Sequence, residues 1–227
     1  MFDTFRLMKL TYSIQVCNES RELFSLLNLL TRIVDTEDYI DVIVDSNNTT
    51  EKVDLVLKHF EDRITVHKRA FDTFSKNCQF HIDVAKGDYV FHIDADELPQ
   101  QTLIKILKQV IDETGAEILA IPRINIHPDI TEEEAKDRKW NVNEAGFINW
   151  PDFQMRIHKK CDYITWTDEL HTKLTGSDKV SGIKAIPPLA MWHIKSMDKQ
   201  NSRWKIDETG DYNITAPSKT DLYDLLM

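Results

Sequence analysis

Hydrophobic and polar positions follow two periods that alternate along the first half of the chain. Apolar residues recur at every second position over 10–16, which predicts a strand, and at every third or fourth position over 23–34, which predicts a helix. The same succession continues with strands predicted at 39–45, 63–67, 90–93 and 117–123 and helices at 53–60, 72–86 and 103–111. The helix at 72–86 is expected to stop at Gly87. Strands separated by helices of this length form parallel crossovers, so the pattern predicts an α/β sheet with helices on both faces.

The second half of the chain has a different pattern. Residues 128–146 are rich in charges of both signs, and we expect a loop with a short helix there. Apolar stretches at 153–159, 163–174 and 190–195 predict short strands. Four of the five tryptophans lie between residues 140 and 192, where they serve either core packing or a surface on which sugars stack.

Polar residues follow three of the predicted strands at their carboxyl ends. Asn18 and Glu19 follow the first strand, Asp45 ends the second, and the string Asp94-Ala95-Asp96-Glu97 ends the fourth. Ligands bind beyond the carboxyl ends of the strands in such sheets, so these residues are expected at one edge. The acidic string has two interpretations, a solvated turn or a site for a divalent cation. Two carboxylates one residue apart suit Mg²⁺ or Mn²⁺ on phosphate oxygens.

The composition argues against several other classes of protein. The 227 residues include 28 Lys and Arg against 38 Asp and Glu, a formal net charge of −10, so a nucleic-acid partner is not expected. Neither G-x-G-x-x-G nor G-x-x-x-x-G-K-[ST] is present, which argues against classical dinucleotide and P-loop sites. Three widely spaced cysteines, Cys17, Cys78 and Cys161, indicate reduced thiols. Without an apolar segment of transmembrane length or a signal-peptide core, the sequence predicts a cytoplasmic protein with no transmembrane segment.

Three strings carry a resemblance to a known family. They are VCNES after the first strand, VIVDSNNTT around the second, and FDTFSKNCQFHIDVAKGDYVFHIDADE over residues 71–97. Over residues 10–196 the chain resembles the family-two inverting nucleotide-sugar glycosyltransferases, in the branch of lipopolysaccharide-core glucosyltransferase-like proteins. The resemblance implies the GT-A fold, a Rossmann-like, mixed and mainly parallel sheet with helices on both faces. It also implies one domain over 1–197, with a nucleotide-binding half at 8–123 and an acceptor-side half at 124–197, and a C-terminal tail or lid at 198–227.

The resemblance assigns roles to residues of the first half. The residues that would contact the nucleotide-sugar donor are Asn18, Glu19, Asp45, Arg69, Lys76, Asn77, Asp94 and Ala95. Lysine stands at position 76, where the family usually has arginine. Asp96 would be the direct ligand of Mg²⁺ or Mn²⁺ on the diphosphate of the donor, for which a UDP-sugar is favoured. Read without the family, Glu19 is also compatible with a helix-cap partner and Asp45 with a turn acid.

The resemblance is looser in the second half. The string FQMRIHKKCDYITWTDELHTKLTG brings Arg156, Trp166 and His171 to the acceptor side. The family's glutamate after this histidine is Thr172 here, so the usual catalytic base is missing. The alternative candidates are the two acids before the histidine, Asp168 and Glu169. These two acids are equally compatible with a solvated acidic turn.

The strand AMWHI supplies His193, where many enzymes of this fold have a histidine that completes the metal shell. A packed core histidine is the alternative. The segment that follows carries four basic residues that could fold over a diphosphate, Lys195, Lys199, Arg203 and Lys205.

These observations predict a metal-dependent inverting glycosyltransferase. It would move a sugar from a nucleotide-sugar donor to a hydroxyl of a glycan, a lipid-linked saccharide or a similar acceptor. Two alternatives remain from the sequence alone. A nucleotidyltransferase would use paired acids with two metal ions, and a catalytically silent relative would bind nucleotide or sugar without turnover.

Overall fold

The computed structural model describes residues 8–167 and 173–203. The strands are β1 (Leu10–Val16), β2 (Tyr39–Asp45), β3 (Thr65–Arg69), β4 (Tyr89–Asp94), β5 (Glu97–Pro99), β6 (Ile118–Ile126), β7 (Ile148–Lys159), β8 (Thr165–Trp166), β9 (Leu174–Thr175), β10 (Val180–Gly182) and β11 (Met191–Ile194). The helices are α1 (Ser20–Ile33), α2 (Glu51–His59), α3 (Phe74–Val84), α4 (Gln101–Thr114), α5 (Glu132–Asp137) and α6 (Met197–Arg203), with a 3-10 turn at Pro187–Leu189. Among the helices of these residues, none has the length and apolar character required to span a bilayer.

One large sheet organises the chain, with the strand order β3-β2-β1-β4-β7-β6-β11-β5 and with β10 also paired to β6. The pairs of β1 with β2 and β4, of β2 with β3, and of β6 with β10 and β11 are parallel. Strand β7 enters antiparallel between β4 and β6, and β5 is antiparallel to β11. The predicted mixed, mainly parallel sheet is therefore confirmed. Strands β8 and β9 form a separate two-stranded ribbon.

Helices cover both faces of this sheet, as the sequence predicts. Tyr12 and Ile14 of β1 belong to the main hydrophobic core, which they share with the buried leucines of α1 and α4. The alternate side chains of β1 point the other way, where Ser13 bonds to His81 of α3 and Gln15 accepts a bond from Asn77 of α3. A strand whose two faces are both covered tolerates these polar positions only because each has a partner.

Helix α3 differs from the predicted helix at 72–86 at both ends. It begins at Phe74 because Thr73 is its cap, and the Thr73 hydroxyl accepts a bond from the backbone of Lys76 at 3.3 Å. Its last residue is Val84, and Ala85 has an extended conformation, so Gly87 is not the stop of the helix. Glycine is required at 87 for another reason: a Cβ there would lie 2.7 Å from the carbonyl carbon of Leu10.

The strands of the second half differ in length from those that the sequence predicts. Strand β7 has 12 residues and begins five residues before the apolar stretch at 153–159, whereas β8 and β9 have two residues each. Strand β7 also contains a bulge: Leu119 pairs with Ile157 and Ala120 with Met155, so Arg156 has no partner residue in β6. Bulges of this kind redirect a side chain, and Arg156 is directed to the carboxyl end of β4.

Candidate functional site

The carboxyl ends of β1, β2 and β4 lie side by side, since β1 is the parallel neighbour of both other strands. The polar residues that follow these strands therefore share one edge of the sheet, as the sequence predicts. The structure separates the acidic string of β4 into three environments. These are described in turn for Asp94, Glu97 and Asp96.

Asp94 lies against the guanidinium group of Arg156, with Nη2 and Oδ2 2.7 Å apart. The Gln15 amide also donates to this carboxylate. Burial alone would raise the pKa of Asp94, but the charge of Arg156 outweighs it and holds the pKa well below its ordinary value. Asp94 is therefore ionised, and its charge is already balanced by the protein.

Glu97 faces the interior and is 1% exposed. It accepts bonds from Arg156 at 2.5 Å and from Arg123 at 3.0 Å, and Arg123 continues to Asp152 at 2.7 Å. This chain of charges holds β6 and β7 to the start of β5. Glu97 thus serves the scaffold and has no open side for a cation.

Asp96 occupies the turn between β4 and β5 and has a different surrounding. Its Oδ2 lies 3.8 Å from Nε2 of His193 and 3.1 Å from Nζ of Lys199. His193 reaches this position because β11 pairs with both β5 and β6, where His193 is in register with Glu97 and Asn125. The Asn125 amide nitrogen donates to Asp152 at 2.8 Å, so the amide oxygen faces Nδ1 of His193, also at 2.8 Å. An amide oxygen only accepts, so the proton of the neutral imidazole lies on Nδ1 and the Nε2 lone pair faces Asp96. Burial lowers the pKa of His193, so the neutral imidazole is the stable form.

Asp96 and His193 are the residues with which this site could hold a divalent cation. Within residues 8–167 and 173–203, no group of three or more His, Cys, Asp or Glu side chains could coordinate an ion by itself. Mg²⁺ and Mn²⁺ at phosphate sites, however, commonly take only one or two protein ligands and complete their shell with phosphate oxygens and water. A carboxylate and an imidazole nitrogen 3.8 Å apart, with the imidazole fixed from its other nitrogen by Asn125, fit that smaller requirement.

The acid after β1 is buried beside the same site. The carboxylate of Glu19, 6% exposed, accepts bonds from the backbone of Cys17 at 3.0 Å and of Asn18 at 3.1 Å, which fixes the turn between β1 and α1. Its other oxygen lies 3.5 Å from Nζ of Lys199. Glu22, one turn further along α1, lies 3.7 Å from the same ammonium.

Asp45 organises the neighbouring rim at the end of β2. It accepts bonds from the backbone of Asn47 at 3.1 Å, from the amide of Asn48 at 2.7 Å and from the backbone of Phe71 at 3.3 Å. Two loops are thereby held together, the one after β2 and the one after β3. The Asp45 side chain is partly exposed at the open edge.

Three further residues that the sequence predicts for the donor site, Arg69, Asn77 and Ala95, belong to the same region of the sheet. Arg69 ends β3 and donates to the Lys76 carbonyl at 2.9 Å and to Asp72 at 2.8 Å. Asn77 is buried and donates to Gln15 at 2.9 Å, which places it one bond from the Gln15 amide that contacts Asp94. Ala95 is buried, and its N–H donates to the Gln15 carbonyl at 3.0 Å.

Among the residues predicted for the acceptor side, Arg156 lies in the charge network described above, and Trp166 packs between two buried histidines. The Trp166 ring centroid is 5.8 Å from that of His92 and 6.3 Å from that of His158. Asp168, Glu169, His171 and Thr172 lie outside the described residues.

Sequence reasoning assigned no role to several residues of this site, among them Arg123, Asn125, Asp152, Gln15 and Glu22. Gln15 joins Asp94 to Asn77, and Glu22 completes the carboxylate group around Lys199. The signal that could have identified Gln15 is its long polar side chain near the carboxyl end of β1, where the other polar positions are the small residues Thr11 and Ser13. Glu22 gives no such signal, because an acidic residue in the first turn of a helix is ordinary.

The fold and the site together correspond to a known class. The family model for glycosyl transferase family 2 matches residues 14–173. The chain belongs to glycosyl transferase family 2. The predicted family and its fold, the GT-A arrangement of a mainly parallel sheet, are thereby confirmed.

Solved structures with a similar fold include TarS of S. aureus, at 15% identity and a TM-score of 0.56, over 86% of this chain and 38% of that chain. Residues 1–349 of TarS in complex with UDP-GlcNAc are similar at 14% identity and a TM-score of 0.56, over 83% of this chain and 59% of that one. The same TarS segment in complex with UDP gives 15% identity, a TM-score of 0.56, and coverage of 86% and 64%. The chain thus spans less than two thirds of each of these structures, and the likeness concerns the fold. No curated protein matches this chain as a relative.

Proposed function

We propose that this chain transfers a sugar from a nucleotide-sugar donor to a hydroxyl acceptor with inversion, with Mn²⁺ or Mg²⁺ on the diphosphate. The observation that carries the proposal is the pair of Asp96 and His193 at the carboxyl edge of β4, 3.8 Å apart and beside the ends of β1 and β2. The nucleoside would lie across those two ends, near Glu19 and Asp45. The acceptor is a saccharide or another hydroxyl compound.

The chain's own residues would bind and orient the donor. Asp45 and the loops that it joins would face the base and ribose, and Arg69 and Lys76 would supply positive charge along the same edge. Asp94, fixed by Arg156, would contact the ribose or a water molecule without requiring a further counter-ion. When bound to Asp96 and His193, a dication would neutralise charge on the leaving diphosphate, an effect of several kcal/mol.

The acceptor hydroxyl would attack the anomeric carbon from the face opposite to the diphosphate. A single displacement of this kind inverts the configuration and requires no covalent intermediate. The proton of the hydroxyl would pass to a carboxylate, for which Asp168 and Glu169 stay the candidates, and general-base help of this kind is worth about 10² to 10⁴ in rate. Glu169→Gln and Asp168→Asn distinguish the two, because only the true base should lose turnover while donor binding is preserved.

A nucleotidyltransferase is less well supported by the site. Two-metal chemistry requires at least two carboxylates open to ions, yet within residues 94–97 Asp94 is bound to Arg156 and Glu97 to two arginines. One carboxylate and one imidazole suit a single cation.

Calorimetric titration with UDP tests the proposal, with and without Mn²⁺. UDP is the first choice because structures of TarS contain UDP and UDP-GlcNAc. Asp96→Asn should remove the Mn²⁺-dependent part of the affinity while the fold stays intact, and Asp62→Asn, an exposed acid on the segment before β3, is the matched control. Unchanged metal dependence in Asp96→Asn would remove the basis for this site. The cytoplasmic location predicted from the cysteines and the N-terminus stays a prediction.

A further inference from the structure

Lys199 is a buried cation at the position where the proposed function needs a divalent one. Its side chain is 5% exposed, and its Nζ lies 3.1 Å from Asp96, 3.5 Å from Glu19 and 3.7 Å from Glu22. The three carboxylates come from separate places in the fold: the turn after β4, the turn after β1 and the first turn of α1. A lysine is rarely buried to this extent unless it is paired.

The fold holds Lys199 in this place through the start of α6. The N–H of Met197 donates to Asp129 at 2.8 Å, and the N–H of Lys199 donates to the Ser196 hydroxyl at 3.2 Å. The N–H of Lys195 also bonds to the carbonyl of Ile126 at 3.0 Å. These bonds attach the first turn of α6 to the end of β6, so the lysine is directed at the rim by anchored backbone.

The charges of this group are unequal. Three carboxylates face one ammonium in this group, with the neutral imidazole of His193 beside them. Burial raises the pKa of Glu22, and the charge of Lys199 opposes that shift, so the ammonium favours the ionised form of this buried acid. The group therefore attracts cations, and the chain supplies the first of them.

A dication bound to Asp96 would lie close to the ammonium group of Lys199. The ammonium contacts Oδ2, the same oxygen that faces His193, so an ion between Asp96 and His193 would stand within contact distance of a positive charge. Repulsion between them is strong in a buried site because little water screens it. A diphosphate removes the conflict, since its oxygens can accept the ammonium while they coordinate the metal.

We propose that Lys199 is the resident counter-ion of Asp96 and that it sets the order of loading: the dication enters together with the nucleoside diphosphate and not alone. This inference rests on the proposed function for the identity of the ligand. Lys199 then changes partner from Asp96 to the diphosphate, and it acts as a positioning residue for the metal.

The test measures Mn²⁺ binding directly, by the electron paramagnetic resonance signal of free Mn²⁺, in the presence and absence of UDP. Wild-type protein should bind Mn²⁺ weakly alone and more tightly with UDP, by about fivefold or more, after correction for the Mn²⁺ that UDP binds in solution. Lys199→Met should bind Mn²⁺ without UDP about fivefold or more tightly than wild type, and UDP should add less. Lys199→Arg keeps the charge and should resemble wild type, and Lys105→Met, an exposed lysine of α4, controls for the change in net charge.

Two outcomes would overturn the inference. One is wild-type protein that binds Mn²⁺ equally well with and without UDP, a measurement that needs no variant and so stands even if Lys199→Met fails to fold. The other is a folded Lys199→Met protein with wild-type Mn²⁺ affinity. If the expected Mn²⁺ behaviour is found but no nucleotide-sugar is turned over, the loading order holds and the proposed function fails.

Discussion

Arg156→Met should destabilise the protein more than any exposed arginine substitution, because the arginine is a buried partner of two acids. Its side chain is 12% exposed, and the guanidinium group bonds to Asp94 at 2.7 Å and to Glu97 at 2.5 Å. After its removal Glu97 keeps its ion pair with Arg123 at 3.0 Å. Asp94 has no second arginine or lysine within ion-pair distance among the described residues, and the imidazole of His92 lies 3.8 Å away. The main cost is therefore one uncompensated carboxylate.

The expected loss of stability follows from this one uncompensated carboxylate. Removal of one member of a buried ion pair costs about 3–5 kcal/mol, mostly because the remaining charge is left unpaired. The free energy of unfolding from urea titration at pH 8 should fall by this amount, while Arg63→Met, an exposed arginine before β3, should change it by less than about 0.5 kcal/mol.

A second substitution separates charge from packing. If the unpaired carboxylate is the cost, Asp94→Asn in the Arg156→Met background should recover about 1–2 kcal/mol, since the amide needs no counter-ion. Acid should have a similar effect. Arg156 holds the pKa of Asp94 well below its ordinary value in the wild-type protein. The ion pair therefore stabilises the folded protein above about pH 4, and this stabilisation is lost as the pH falls further. The deficit of Arg156→Met should shrink over the same range. A loss below about 1 kcal/mol, or no recovery with Asp94→Asn, would refute this reasoning.

Two further predictions concern stability. Gly176 has φ +102°, and a Cβ there would lie 1.7 Å from the Tyr163 carbonyl oxygen, whereas Gly115 has φ +61° with open space around it. In urea titrations Gly115→Ala should therefore lower the free energy of unfolding by about 1–2 kcal/mol, the cost of a left-handed backbone for alanine, and Gly176→Ala should lower it clearly more. Equal losses of free energy would show that the β8–β9 ribbon shifts to accommodate the new side chain. Burial lowers the pKa of His158 to about 4, so the folded protein keeps it neutral while the unfolded chain binds a proton below about pH 6.5. Its contribution is present above that pH and is lost as the pH falls toward 4, so the wild-type free energy of unfolding should drop between pH 7 and 4.5 by about 2–3 kcal/mol more than that of His158→Leu; parallel pH profiles would contradict the neutral buried imidazole.

The sheet of the first half could be predicted because each strand carries its own signal. In β1 the apolar residues alternate with polar ones, and the apolar residues Tyr12 and Ile14 face the main hydrophobic core. This burial can be predicted without knowing which helices pack against the strand. The buried leucines of α1 and α4 can likewise be predicted from their helical spacing. Local periodicity therefore fixes which elements exist and which of their faces is buried.

The partners within the site could not be predicted in that way. Gln15 bonds to residues 62 and 79 positions away, and Lys199 to one 103 positions away. The acidic string at residues 94–97 is a further example, because its three carboxylates differ only in the side chains that other strands place beside them. Arg156 reaches Asp94 and Glu97 by a bulge in β7, and His193 reaches Asp96 by the return of β11. The resemblance to a family pointed to Asp96 and His193, whereas the pairing of Lys199 with Asp96 appears only in the folded chain.

The most direct test of the central claim is release of nucleotide from UDP-, GDP-, CMP- and dTDP-sugars with Mn²⁺, measured beside release of pyrophosphate from nucleoside triphosphates. We predict that at least one nucleotide-sugar is cleaved, that cleavage requires the metal, and that Asp96→Asn abolishes it. Pyrophosphate release without turnover of any nucleotide-sugar would contradict the account and identify a nucleotidyltransferase instead.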